Sequence, residues 1–209
     1  MIKVLIADDH AVVRKGLKQI LSDWPDMGEL GEAQNADEVF DLVKRERWDI
    51  AILDIGMPGR GGLETLKDLK RLCPKLPVLV LSVYPEDQYG IRALRAGAAG
   101  YMTKESAPEE LVKAIRKALA GGKYVSNSLA EKLARELATD AEVPLHQSLS
   151  DREYQVLCLI ASGKAVGEIA EELSLSIKTI STYRVRILEK MHLKTNSEIT
   201  RYAIENRLV

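Results

Sequence analysis

The chain is short of cysteine, of long apolar runs and of net charge, and each shortage argues against a class of protein. Only Cys73 and Cys158 occur in 209 residues, and neither has a second cysteine or a histidine at metal-ligand spacing. That argues against a disulfide scaffold and a cysteine-based metal site. Both thiols lie in apolar helical patterns and are expected to be buried and free, as in a reducing cytoplasm. No apolar stretch approaches the roughly 20 residues that span a bilayer, so no membrane association is expected. The N-terminal run Met1–Ala7 meets Asp8 and Asp9 too early to form a signal-peptide core. The formal net charge is −1, so the whole chain carries no electrostatic signature of nucleic-acid binding, and charge must be read by segment. Internal repeats and low-complexity segments are also missing.

What is present is an ordinary globular composition, 46% hydrophobic and 29% charged, long enough for one large domain or two small ones. Residues 1–121 alternate strand and helix signals. Strand runs at Lys3–Ala7, Glu29–Ala33 (weak), Ile50–Leu53, Pro77–Leu81 and Gly100–Met102 are separated by helical spacing. Val12, Val13, Leu17, Ile20 and Leu21 form one side of the first helix, and Asn35 with Glu38, and Ser106 with Glu109, read as helix-capping pairs. Five βα units with all-apolar central strands predict a doubly wound five-stranded parallel sheet, helices on both faces, in the order 2-1-3-4-5. Residues 122–147 read as a linker with a possible helix at Ser128–Ala138. Residues 148–209 show no strand signal and predict a separate all-α unit of four short helices, capped by Ser150 with Glu153 and Thr195 with Glu198.

That strand order makes strands 1 and 3 neighbours. Asp8 and Asp9 follow strand 1 and Asp54 ends strand 3, so three carboxylates meet at the carboxyl edge of the sheet, where ligands bind in such folds. Ser82 and Lys104 end strands 4 and 5 on the same edge. Three clustered carboxylates repel unless a proton or a cation offsets them, and Mg²⁺, a hard cation, suits oxygen ligands. A carboxylate beside Mg²⁺ can attack phosphorus, with Lys104 supplying charge to the transferring oxygens and Ser82 a hydrogen bond.

The blocks Leu5-Ile-Ala-Asp-Asp-His10, Leu53-Asp-Ile-Gly-Met-Pro-Gly59, Leu81-Ser-Val83 and Gly100-Tyr-Met-Thr-Lys104 resemble the receiver domain of two-component response regulators across residues 2–121. The resemblance implies that Asp54 is the phosphoacceptor for a sensor histidine kinase. It implies Mg²⁺ held directly by Asp9, Asp54 and the Gly56 carbonyl, with Asp8 acting through water, and Ser82 with Tyr101 as the switch pair. Glu105 stands where many receivers have a proline with a cis peptide, a bond that costs about 2.5–4 kcal/mol without proline. Phosphatases that also form an aspartyl-phosphate generally need a second acid two residues after the nucleophile. Gly56 is there instead, so no enzyme is expected. A phosphorylation-independent regulator is disfavoured by the complete set of five residues.

Between Lys178 and Lys194 five cations (Lys178, Arg184, Arg186, Lys190, Lys194) face one acid, Glu189, on a helix that keeps an apolar stripe of Ile180, Ile187, Leu188 and Met191. Such a helix fits the major groove and its cations can contact phosphates. The blocks Leu149–Leu157, Glu168-Ile-Ala170 and Lys178–Lys190 resemble the LuxR-type helix-turn-helix of the NarL/FixJ family over residues 147–209. That implies Lys178, Thr179, Tyr183 and Arg186 at phosphates, Ser181, Thr182 and Val185 facing bases, and Lys190 among the DNA-binding cations. It implies double-stranded promoter DNA and RNA polymerase as partners, and a homodimer on DNA with its contact at Glu198–Leu208. Val166 and Tyr183 depart from the Asn and His frequent at those positions.

Overall fold

Strands β1 (Ile2–Ala7), β3 (Ile50–Leu53) and β4 (Val78–Ser82) are apolar on both faces, and the fold uses them as the middle of a sheet. The computed structural model describes residues 1–106, 108–138 and 144–209. With β2 (Met27–Ala33) and β5 (Gly100–Thr103) the strands form one parallel sheet in the order β2-β1-β3-β4-β5, as the sequence predicts. Helices α1 (Ala11–Ser22) and α5 (Pro108–Leu119) cover one face, burying Leu17, Leu21, Leu111 and Ile115 against Ile6, Ile52, Leu81 and Met102. Helices α2 (Ala36–Arg45), α3 (Gly62–Leu72) and α4 (Glu86–Arg95) contact one another in succession. Right-handed crossovers place them on the other face.

The structure corrects several local expectations. Strand β2 begins at Met27, two residues earlier than its pattern suggests. It is an edge strand, and Gly31 sits under the Trp48 ring, where a Cβ would lie 2.3 Å from ring carbon Cη2. Val12 is 82% exposed, and the core-facing position in that turn belongs to the buried Arg14. Helix α5 starts at Pro108, a first-turn position where a missing N–H costs nothing. The position before it, residue 107, lies outside the described residues. Cys158 is buried, whereas Cys73 caps the end of α3 and is only half-buried; neither forms a disulfide.

The chain divides into two units, Met1–Arg135 and Glu136–Val209. Helix α6 (Asn127–Ala138) falls in the stretch expected to be a linker, and its first turns belong to the first unit. Tyr124 makes a parallel bridge to Gly100, its N–H donating to the Ala99 carbonyl at 2.7 Å. Leu129 is fully buried over Gly90 of α4, where a Cβ would come within 2.8 Å of a Leu129 methyl. Ser126 Oγ donates to the Glu86 carboxylate and Lys132 Nζ to the Asp87 carbonyl.

In the second unit, α7 (Asp151–Ala161) is buried from Arg152 to Ala161 and is touched by both α9 (Ile177–Lys190) and α10 (Asn196–Glu205). Ser150 and Glu153 form the reciprocal cap the sequence predicts, and Thr195 accepts from Glu198 N–H. Helix α8 (Val166–Glu172) joins α9 through a tight turn in which Ser174 takes φ +52°. A 3-10 turn at Leu145–Ser148, not foreseen, is tied to α10 by His146 Nδ1 and the Tyr202 hydroxyl at 3.0 Å. Among the described residues no helix is long and apolar enough to cross a membrane.

Leu129→Ala should lower the stability of the first unit by roughly 2–5 kcal/mol, the usual cost of a deleted buried leucine. Proteolysis within α6 should accelerate in the same variant. Urea denaturation and limited digestion measure the two effects.

Candidate functional site

Three strand ends build the acidic site. Asp54 N–H donates to the Ala7 carbonyl at 2.8 Å and Asp8 N–H to the Ala33 carbonyl at 3.1 Å, so sheet pairing carries both acids to the same edge. Asp8 and Asp54 are each 2% exposed. Lys104 Nζ lies 2.6 Å from Asp8 Oδ2 and 2.7 Å from Asp54 Oδ2, bridging them. The remaining Asp54 oxygen accepts the Gly56 N–H at 2.7 Å. A Cβ at residue 56 would sit 3.2 Å from that carboxylate, so glycine gives the loop room to turn this closely. The Lys104–Glu105 peptide is trans, and Lys104 reaches the acids without the proline frequent there.

Burial raises the Asp54 carboxyl above its ordinary range, with Lys104 opposing and Asp8 assisting the rise. Burial alone would lower Lys104, but hydrogen bonds to Asp54 and Asp8 outweigh it and hold the ammonium above its usual range. One ammonium thus faces two buried carboxylates and falls one charge short. Asp9 stands beside them: its Oδ1 is buried, 2.9 Å from His10 Nδ1, with no hydrogen-bond donor directed at it among the described residues. Ligand atoms of Asp8, Asp9, His10 and Asp54 lie within 4.8 Å of one another. An uncompensated cluster of oxygen donors with one unsatisfied oxygen fits a hard divalent cation. His10 was not singled out from the sequence; its place directly after two acids at a strand end is the signal that would have found it.

Ser82 is fully buried, and its Oγ accepts the Tyr84 N–H at 3.2 Å. Tyr101 is buried, donates its hydroxyl to the Tyr84 carbonyl at 2.8 Å, and has its phenol pushed far upward by burial, with a hydrogen bond to Ser82 opposing. The structure therefore joins Ser82 and Tyr101 through Tyr84, at the entry to α4.

On α9, Lys178, Ser181, Thr182, Val185 and Arg186 are exposed, while Thr179 and Tyr183 are half-buried. Their three-to-four-residue spacing puts them along one side, opposite the buried Ile180 and Ile187. Thr182 donates its hydroxyl to the Lys178 carbonyl, leaving its oxygen to accept. Lys190 differs from the other cations. Its Nζ lies 2.6 Å from Oε2 of Glu153, a carboxylate that also caps α7. Burial would lift Glu153, but Lys190 and Ser150 outweigh it and hold it below the usual range.

The raised Asp54 has a stability consequence. Between its ordinary value of 3.8 and its higher folded value, folding takes up a proton. Stability therefore falls as pH rises through that window, and the cost persists above it. Asp54→Asn should melt higher than wild type at neutral pH without divalent cations, by about 4 °C per kcal/mol relieved. The difference should shrink on acidification towards 3.8 and on adding Mg²⁺. Calorimetric melting across pH checks both trends.

Family models place the same two parts on the chain. Residues 4–116 match the response regulator receiver domain, and residues 147–203 match bacterial regulatory proteins of the luxR family. The response regulator GacA of Pseudomonas aeruginosa is 39% identical over 210 residues, covering 100% of this chain and 98% of its own. UvrY of Escherichia coli is 35% identical, covering 100% and 96%. RcsB of Salmonella enterica serovar Typhimurium, solved bound to the promoter rprA with the phosphomimetic BeF3-, superposes with a TM-score of 0.66 at 28% identity, over 96% of this chain and 97% of RcsB. With its buried acidic pocket, parallel sheet and helix-turn-helix, the chain belongs to the two-component response regulators of the NarL/FixJ family.

Proposed function

We propose that this response regulator accepts a phosphoryl group on Asp54 from a sensor histidine kinase, and that the phosphorylated form binds promoter DNA as a dimer to control transcription in the cytoplasm. The observation that carries the proposal is the buried Asp54 carboxylate held between Lys104 and the Gly56 amide, with Asp8 and Asp9 beside it. An Asp54 oxygen forms its bond to phosphorus as the phosphorus–nitrogen bond to the kinase histidine breaks. The electron pair leaves with the imidazole nitrogen. Lys104 meets the charge on the transferring oxygens. Asp9, Asp54, the Gly56 carbonyl and, through water, Asp8 would hold Mg²⁺, which when bound supplies further neutralisation of the phosphoryl oxygens.

The same residues support a route outward. A phosphoryl group competes for Ser82, whose hydroxyl meets Tyr84 and Tyr101. Tyr84 leads into α4, and α4 carries α6 through Gly90, Glu86 and Asp87. By chain connectivity α6 leads into the second unit, within which the DNA-binding domain is proposed to span residues 148–209. There Lys178, Thr179, Tyr183 and Arg186 are assigned to phosphates, and Ser181, Thr182 and Val185 to base edges. Lys190 is reassigned from DNA contact to holding Glu153, since moving it away would strand a buried carboxylate. Glu198–Leu208 is assigned to the dimer contact, and RNA polymerase is the proposed downstream partner.

Asp54→Ala should abolish the rise in DNA affinity and in dimer fraction that a small-molecule phosphoryl donor gives wild type. Unchanged donor responses in the variant would overturn the switch. Fluorescence anisotropy and sedimentation measure both. On the DNA side, Lys178→Ala and Arg186→Ala should each flatten the slope of log affinity against log salt by about 0.9. Lys190→Ala should leave that slope in place and cost the second unit about 1–2 kcal/mol in a urea melt.

A further inference from the structure

One buried charged group has no part in the chemistry above. Arg14 lies on the core-facing side of α1 with its side chain 8% exposed. Its Nη1 donates to the Asp8 carbonyl at 2.6 Å and its Nε to Glu32 Oε2 of β2 at 3.1 Å. Lys18 takes the other Glu32 oxygen at 2.6 Å, and Lys18, then Arg14, hold that carboxyl below its ordinary range against the effect of burial. The Asp8 carbonyl belongs to the peptide plane that joins Asp8 to Asp9. The opposite side of Asp8 is fixed by its N–H to Ala33. Arg14 therefore sets the orientation of the plane from which the Asp9 backbone leaves. On its other side the Asp9 backbone is held by the His10 N–H, which donates to Asp8 Oδ1 at 2.8 Å, while the buried Asp9 Oδ1 has no directed donor among the described residues.

We infer that Arg14 is a positioning residue for the cation site, holding Asp9 in place through the Asp8–Asp9 peptide while Glu32 fixes the guanidinium from the edge strand. The inference rests on the reading of Asp8, Asp9 and Asp54 as the Mg²⁺ site. Burying a guanidinium is expensive unless its donors have partners, and the rigid planar fork holds a carbonyl and a carboxylate at a fixed separation on different nitrogens, which the single nitrogen of an ammonium does not reproduce. The alternative role, electrostatic, has the opposite sign. A positive charge near a divalent-cation site weakens cation binding, so removing it for charge reasons alone would tighten Mg²⁺.

The test is calorimetric titration of the full chain with Mg²⁺ alone, for wild type, Arg14→Lys, Arg14→Met and Glu32→Gln, each with a thermal melt in metal-free buffer. Arg14→Lys keeps the charge and is the variant best able to keep the fold; Glu32→Gln leaves Arg14 in place but loosens its anchor. Groups that orient metal ligands typically cost 10–100-fold in affinity when lost. Arg14→Lys and Arg14→Met should therefore weaken Mg²⁺ by about tenfold or more, and Glu32→Gln by less. Affinities within twofold of wild type, alongside lowered melting, would assign Arg14 to fold stability and overturn the inference. Tighter binding in Arg14→Met would overturn it in favour of electrostatics. If wild type itself takes up no Mg²⁺, it is the reading of the acidic site that fails.

Discussion

Lys104 reaches from the end of β5 to two carboxylates that β1 and β3 bring side by side, and it satisfies both with one charge. The sheet order forces this meeting. Once β1 and β3 are neighbours, Asp8 and Asp54 share one edge, and a proton, or a cation from a further strand or from solution, must offset their repulsion. The residual negative charge leaves a site of oxygen donors that a hard divalent cation would complete. Ser82, Tyr84 and Tyr101 lie against it on the side that leads to α4.

The two units handle buried charge by the same rule with opposite results. In the first, an excess of carboxylate over ammonium leaves room for chemistry. In the second, Glu153 and Lys190 balance one to one, and the pair ties the end of α9 to the start of α7. A cation so engaged is structural material. Lys178 and Arg186 instead project, exposed, from the side of the helix opposite its apolar stripe.

Much of this was readable in the residues, for physical reasons that also explain what was not. Strands β3 and β4 announce themselves because both faces are covered. Strand β2 does not, because an edge strand with Gly28 and Gly31 has little apolar surface to display. Ser150 and Glu153 could be paired from spacing alone, since a cap is local. Arg14 could not be found that way. A charged residue at a helical position reads as solvent-facing, and only its tertiary partners, an Asp8 carbonyl and Glu32, reverse that. The docking of α6 was invisible for a similar reason. Its seat is a glycine on α4, and the absence of a side chain leaves no mark in a hydrophobic pattern.

That glycine also bears on how firmly α4 holds together. A helix of ten residues with Gly90 at its centre gives up about 1 kcal/mol of intrinsic propensity, and its first residue follows Pro85, which offers no side-chain cap. By its own chemistry α4 is a weak helix, kept wound by what leans on it: the sheet on one flank and Leu129 on another. Segments of this kind open locally, well below the cost of unfolding the domain. The slowest amides of the sheet and the amides of α4 then report on different events, and the lifetime of α4 becomes a gauge of whether its tenant is seated.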